Sequence, residues 1–149
     1  MKKSKNLILV FMLIFISTSL LLAQDANEKA RTLTPGADKS LIYVIRPSSV
    51  AFAVRLPVDV DEKPIATLGA HDFGFINLDP GKHSFKVVNG TSKATLFEVT
   101  TEPGKIYYLE MEMKMGAISA RGVLKSITEE EGKKFLKKCE VAGNNQEKL

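Results

Sequence analysis

The chain has two histidines and one cysteine in 149 residues, so any metal or general-base chemistry must recruit carboxylates to them. The candidates are His71, followed directly by Asp72, and His83, which lies just past Asp79 across a Pro-Gly turn. Neither histidine stands at metal-ligand spacing, and a lone cysteine cannot build a clustered-cysteine zinc site. His71, Asp79 and His83 are therefore read as candidate binding residues. No catalytic residue, metal or cofactor is assigned.

Other pairs carry weaker chemistry. Glu110 and Glu112 share one side of a strand, about 7 Å apart by strand rise. That spacing would fit a glycosidase pair, yet alternate acids on a strand are usually a solvated face. Met111, Met113 and Met115 could offer thioethers to Cu(I), but their alternation with charged residues favours packing. Asn89-Gly90-Thr91 matches a glycosylation sequon and also the strongest hairpin signal in the chain. Cys139 ends a helical apolar stripe and reads as a small buried hydrophobe; exposed, it could bridge to a partner. There is no Gly-x-Ser-x-Gly elbow, and the expected protein is not an enzyme.

The elements that position these residues follow a leader. Lys2, Lys3 and Lys5 precede an apolar run, Leu7 to Ile16, then Ser17-Thr18-Ser19 and Leu20 to Ala23, the layout of a secretory signal. Residues 1–23 are read as a signal peptide cleaved after about Ala23 and the protein as exported, periplasmic or extracellular. A retained anchor is the alternative, since Leu7 to Ala23 is barely long enough to span a bilayer. The formal net charge of +4 belongs mostly to this segment, because all 17 acidic residues but only 18 of the 21 basic ones follow Ala23. A nearly neutral remainder gives no electrostatic reason to expect nucleic acid.

Residues 24–39 are polar, contain Pro35-Gly36 and read as a flexible linker. Leu41 to Arg46 is a continuous apolar run stopped by Pro47, as in a strand covered on both faces. Val54 to Val60 is a second strand, with Pro57 implying an edge position or a bulge. Strands follow at Ile65 to Leu68, Asp72 to Leu78, His83 to Val88, Lys93 to Thr100, Ile106 to Met115 and Ala117 to Leu124. Asp79-Pro80-Gly81-Lys82 and Glu102-Pro103-Gly104-Lys105 supply turns. In the longest strand, Tyr107, Leu109, Met111, Met113 and Met115 alternate with Tyr108, Glu110, Glu112 and Lys114, predicting one packed and one wet face. Thr128-Glu129-Glu130-Glu131 announces a helix with a capping box. The whole reads as mainly β: an antiparallel β-sandwich of about seven or eight strands with one C-terminal α-helix. The domain is placed at 40–140 and a frayed tail at 141–149.

Ile42-Tyr43-Val44-Ile45-Arg46-Pro47, Leu78-Asp79-Pro80-Gly81-Lys82-His83, Gly104-Lys105-Ile106-Tyr107-Tyr108-Leu109 and the terminal Glu-Glu-Gly-Lys-Lys helix resemble the bacterial family known as domain of unknown function 2846. The resemblance runs from about Ser40 to Cys139 and implies a small exported or lipid-anchored β-domain. It carries over no reaction. Val58 to Ile65 also resembles the PEGA hairpin of bacterial surface proteins, with Glu62 where that pattern prefers Gly.

The expected function is a non-enzymatic binding or scaffolding module of the cell envelope. Its expected partner is an envelope protein or cell-wall polymer, with a membrane contact only if the leader is retained. The alternative is a small-molecule or metal binder, or a hydrolase, using His71, His83 and nearby carboxylates.

Overall fold

The computed structural model describes residues 25–90, 93–116 and 120–146; the leader expected at 1–23 lies outside them. Among the described residues nine strands form two sheets: β1 (Ser40–Arg46), β2 (Leu56–Val60), β3 (Lys63–Leu68), β4 (Asp72–Leu78), β5 (Gly81–Val87), β6 (Thr95–Thr101), β7 (Ile106–Met115), β8 (Ala120–Ile127) and β9 (Glu140–Val141). One sheet has the order β8-β7-β1-β4-β9 and the other β3-β2-β5-β6. The helices are α1 (residues 25–31), α2 (Glu129–Leu136) and the single turn α3 (Gly143–Gln146). The protein is mainly β and sandwich-like, as expected.

Every residue of β1 is buried because both faces are covered. Ile42 and Val44 pack between the sheets with Leu56, Val58, Phe85 and Met111. Leu41, Tyr43 and Ile45 pack on the other face with Phe73, Leu136 and Cys139. The five-stranded sheet is therefore a middle layer, with the second sheet on one side and helices on the other.

Two strand pairs depart from the antiparallel expectation: β1 runs parallel to β7, and β4 to β9. For β1 and β7 the reason lies in the Pro-Gly turns, whereas β9 is brought beside β4 after α2. Each turn sends the chain from one sheet to the other, β4 to β5 at Asp79-Pro80 and β6 to β7 at 102–105, so β7 returns beside β1 in the same direction. The hairpins are β2–β3, β5–β6 and β7–β8. The second strand begins at Leu56 and is not an edge, because β3 and β5 flank it; Pro57 instead neighbours a register shift at Val58/Asp59.

The wet face expected on β7 is half right. Leu109 and Met111 fill the inter-sheet core, with Tyr107 and Met113 packed against it. On the reverse face Tyr108 is buried under α2, and a Cβ on Gly132 would lie 2.3 Å from its ring. The capping box at Thr128 and Glu131 forms in full. Further along, Lys125 pairs with Glu110 at 3.2 Å and Glu112 at 2.8 Å.

Both ends of the domain are ordered where a linker and a tail were expected. Residues 25–31 are helical, and Ala30 is buried with its carbonyl accepting from Tyr43 Oη at 2.8 Å. Arg31 donates to the carbonyls of Leu136 and Cys139 at 2.9 and 2.8 Å. Asn145 is buried and its Oδ1 accepts from Phe75 N at 3.0 Å. Polar residues here satisfy backbone groups that the fold buries, Asn145 on β4 and Arg31 at the end of α2, which makes them look like linker and tail in composition alone.

Candidate functional site

The alternation along β1 places Arg46 on the inter-sheet side, at the open end of the sandwich. Its side chain is fully buried. Pro47 then ends the strand, and the chain folds over the guanidinium as a loop, residues 47–55. Nη2 donates to the carbonyls of Val50 at 2.9 Å and Ala51 at 2.8 Å, while Nη1 reaches those of Val54 and Leu68. Among the buried side-chain nitrogens and oxygens of the described residues, only Arg46 Nε lacks a partner. Burial pushes the Arg46 pKa below its ordinary value, opposed by the nearby Asp72 charge, but a guanidinium stays charged. A fixed cation thus sets the loop's shape from within.

With its carbonyls turned inward, the loop turns apolar side chains outward. Phe52 is 76% exposed, and Val50 and Val54 are also exposed. Of the five exposed large hydrophobics among the described residues, these are three; Leu96 and Met115 stand elsewhere. Val54 N donates back to Ala51 O at 2.9 Å, and Ala51 sits at φ 53°. At the base, Arg55 pairs with Asp72 at 3.0 Å, and Asp72 also accepts from Gly69 N at 2.8 Å. Sequence reasoning missed this site. Its signal is a lone charge closing an otherwise apolar strand, before an apolar stretch broken by Pro47 and two serines.

His71 belongs to this end. Its Nε2 lies 2.7 Å from Ser49 Oγ, and its carbonyl accepts from Glu140 N at 2.8 Å. Among the described residues no carboxylate hydrogen-bonds the His71 ring, so the pair ties two loops without the orienting acid of a hydrolytic triad.

His83 and Asp79 sit at the opposite end, separated from His71 by the length of β4, about 20 Å. His83 Nδ1 meets Asp61 Oδ2 at 2.6 Å and Nε2 meets the Asp79 carbonyl at 2.7 Å. Asp79 itself turns to Lys39 Nζ at 2.6 Å. The three residues line a cleft of about 280 Å³ with Lys63, Ile76 and Asn77. Both ring nitrogens face accepting oxygens, a pair of contacts that the doubly protonated ring satisfies in full. Partial burial works against that charge, but the bonds to Asp61 and Asp79 outweigh it and raise the pKa. The same contact lowers that of Asp61. In this state the ring has no lone pair for a metal or a substrate proton. The candidate trio is thus split: Asp79 and His83 together, His71 elsewhere.

The remaining candidates are accounted for by packing. Glu112, held by Lys114 and Lys125, has a carboxyl down at about 2, the reverse of a glycosidase acid. Met111 is buried, Met113 packs on the core and Met115 is exposed, so no thioether strip faces solvent. Asn89 is buried; its Oδ1 accepts from Gly122 N at 2.8 Å and its Nδ2 donates to Thr95 at 3.0 Å. It ties the two sheets and is no exposed sequon. Among the described residues no three His, Cys, Asp or Glu side chains gather into a metal-binding group.

A family model described as "Protein of unknown function (DUF2846)" matches residues 36–123. An uncharacterized protein of Haemophilus influenzae is 26% identical over 119 residues, covering 80% of this chain and 70% of its own. The matched span includes the loop at 47–55, the histidines and both Pro-Gly turns.

Proposed function

Starting from a chain that belongs to DUF2846, a family of proteins of unknown function, we propose that it is an exported, non-enzymatic binding module whose contact surface is the loop at 47–55. One observation carries the reading: a fully buried guanidinium holds the loop's carbonyls inward and leaves Val50, Phe52 and Val54 in water. Exposed apolar side chains are costly in isolation and gain by being covered. A loop already fixed in shape loses little entropy on binding. The basic-then-apolar leader supports export, with an envelope protein or cell-wall polymer as the expected class of partner.

The reading is tested by placing a photo-crosslinking phenylalanine analogue at position 52 in cells, and at position 96 as a control. Exposed Leu96 lies on β6 in the other sheet. Adducts at 52, whether with protein, polymer or lipid, and none at 96 are expected. Equal labelling at both positions, or none at either, removes the loop as the contact surface.

A further inference from the structure

We infer that the loop at 47–55 seats this domain on a lipid bilayer when the apolar segment Leu7 to Ala23 lies in that bilayer; this rests on the loop being the contact surface. The first support is where the chain enters the fold. Asn27 Oδ1 accepts from Val141 N at 2.7 Å. Val141 lies in β9, which pairs with the start of β4. The carbonyl of His71, just before β4, accepts from Glu140 N, and the His71 ring bonds Ser49 inside the loop. From β9 to β1 is two strand spacings, about 10 Å. α1, the first described element, is therefore tied to the end of the domain that carries Phe52.

The second support is the chemistry of the loop. Pro47-Ser48-Ser49-Val50-Ala51-Phe52-Ala53-Val54-Arg55 has no acidic residue, an aromatic near its centre and a cation at its base. An aromatic with small apolar neighbours and a flanking arginine suits the boundary between headgroups and acyl chains. Of the carboxylates at this end, Asp72 is engaged by Arg55 and Gly69 N, while exposed Glu140 lies on β9, two strands from β1. The third is rigidity. Arg46 holds the loop backbone at Val50, Ala51 and Val54, so the exposed Val50, Phe52 and Val54 stand on a fixed frame. Three side chains alone bind a membrane only marginally, whereas stable attachment takes two signals. The leader's apolar run and the loop are those two signals, and they fix the orientation as well as the location of the domain.

The chain has no tryptophan, so a single one can report on its surroundings. Full-length protein carrying Phe52→Trp, and separately Leu96→Trp, is incorporated into phosphatidylcholine vesicles, with floated vesicles collected. The indole at position 52 is expected to emit at shorter wavelength than the one at position 96 and to be quenched far more strongly by lipids brominated on their acyl chains. Phe52→Asp in a chain lacking residues 1–23 should cut residual vesicle binding about tenfold; circular dichroism checks that this shortened chain is folded. Equal emission and equal quenching in the two variants would overturn the lipid assignment. If position 52 still crosslinked to one envelope protein, the contact-loop reading would stand with a protein as its partner. Without any adduct, both would fall.

Discussion

His83 holds Asp61 across two turns: Nδ1 of the ring lies 2.6 Å from Oδ2 of the carboxylate. The ring's other nitrogen meets the Asp79 carbonyl, so the β2–β3 turn and the β4–β5 turn are clasped by one imidazole ring. Its pKa is raised in the fold above 6.5. The stabilisation is therefore complete below the unfolded value of about 6.5 and is lost as pH rises through the higher folded value. Asp61 behaves inversely. Its folded pKa lies below 3.8, so its share is present above the unfolded value and is lost as pH falls through the lowered one. Urea midpoints of the native chain and His83→Gln should differ most at about pH 5–6 and converge at alkaline pH. A gap that does not change with pH would show that the clasp needs no proton.

Arg46 is the residue whose loss should cost most. Arg46→Met removes the guanidinium bonds to the carbonyls of Val50, Ala51, Val54 and Leu68, of which Ala51 keeps only its bond from Val54 N. The expected loss of stability is about 2–4 kcal/mol. Arg46→Lys should recover little, because one ammonium cannot reproduce the planar fork. Hydrogen exchange at Val54 N, which bonds Ala51 O, should accelerate more than exchange in β5. Uniform acceleration would mean that Arg46 supports the fold without shaping the loop.

The β2–β3 hairpin carries a local strain. Asp61 and Glu62 both have positive φ, 48° and 67°, as a two-residue type I′ turn demands. Asp61 is suited to that region and is tied by Ser84 N at 2.9 Å, whereas Glu62 has no compensation of that kind. Glu62→Gly should stabilise the protein by about 0.5–1 kcal/mol, read as a higher melting temperature. Asp61→Gly should instead destabilise, because it removes the His83 partner.

Cys139 is fully buried, and burial pushes its thiol up to about 12. Iodoacetamide at pH 8 should leave it unmodified in the native chain and label it within minutes in urea. Labelling of native protein at the rate of a small thiol would indicate that the α2–β9 segment opens readily. The burial also removes the intermolecular disulfide weighed for an exposed Cys139.

Local patterns in the chain determined local structure. The run Leu41 to Arg46 announces a strand covered on both sides, Thr128 to Glu131 closes as a capping box, and alternation along Ile106 to Met115 identifies the side chains that fill the core. These depend on neighbours within one strand or one helical turn, where spacing fixes geometry. Tertiary structure alone decided the rest. A Pro-Gly turn shows that the chain reverses but not which sheet receives the next strand, so the parallel β1–β7 pair is invisible in sequence. Polar segments at 24–39 and 141–149 resemble linker and tail in sequence, yet within them Asn27 and Asn145 meet backbone N–H groups of β9 and β4. The site divides in the same way. His83 beside Asp79 follows from one turn, yet Asp61 arrives from another hairpin, and His71 is carried off by the length of β4. Arg46 reads as an ordinary strand end; its grip on Val50, Ala51, Val54 and Leu68 exists only because the loop folds back over a charge that burial leaves no other way to satisfy.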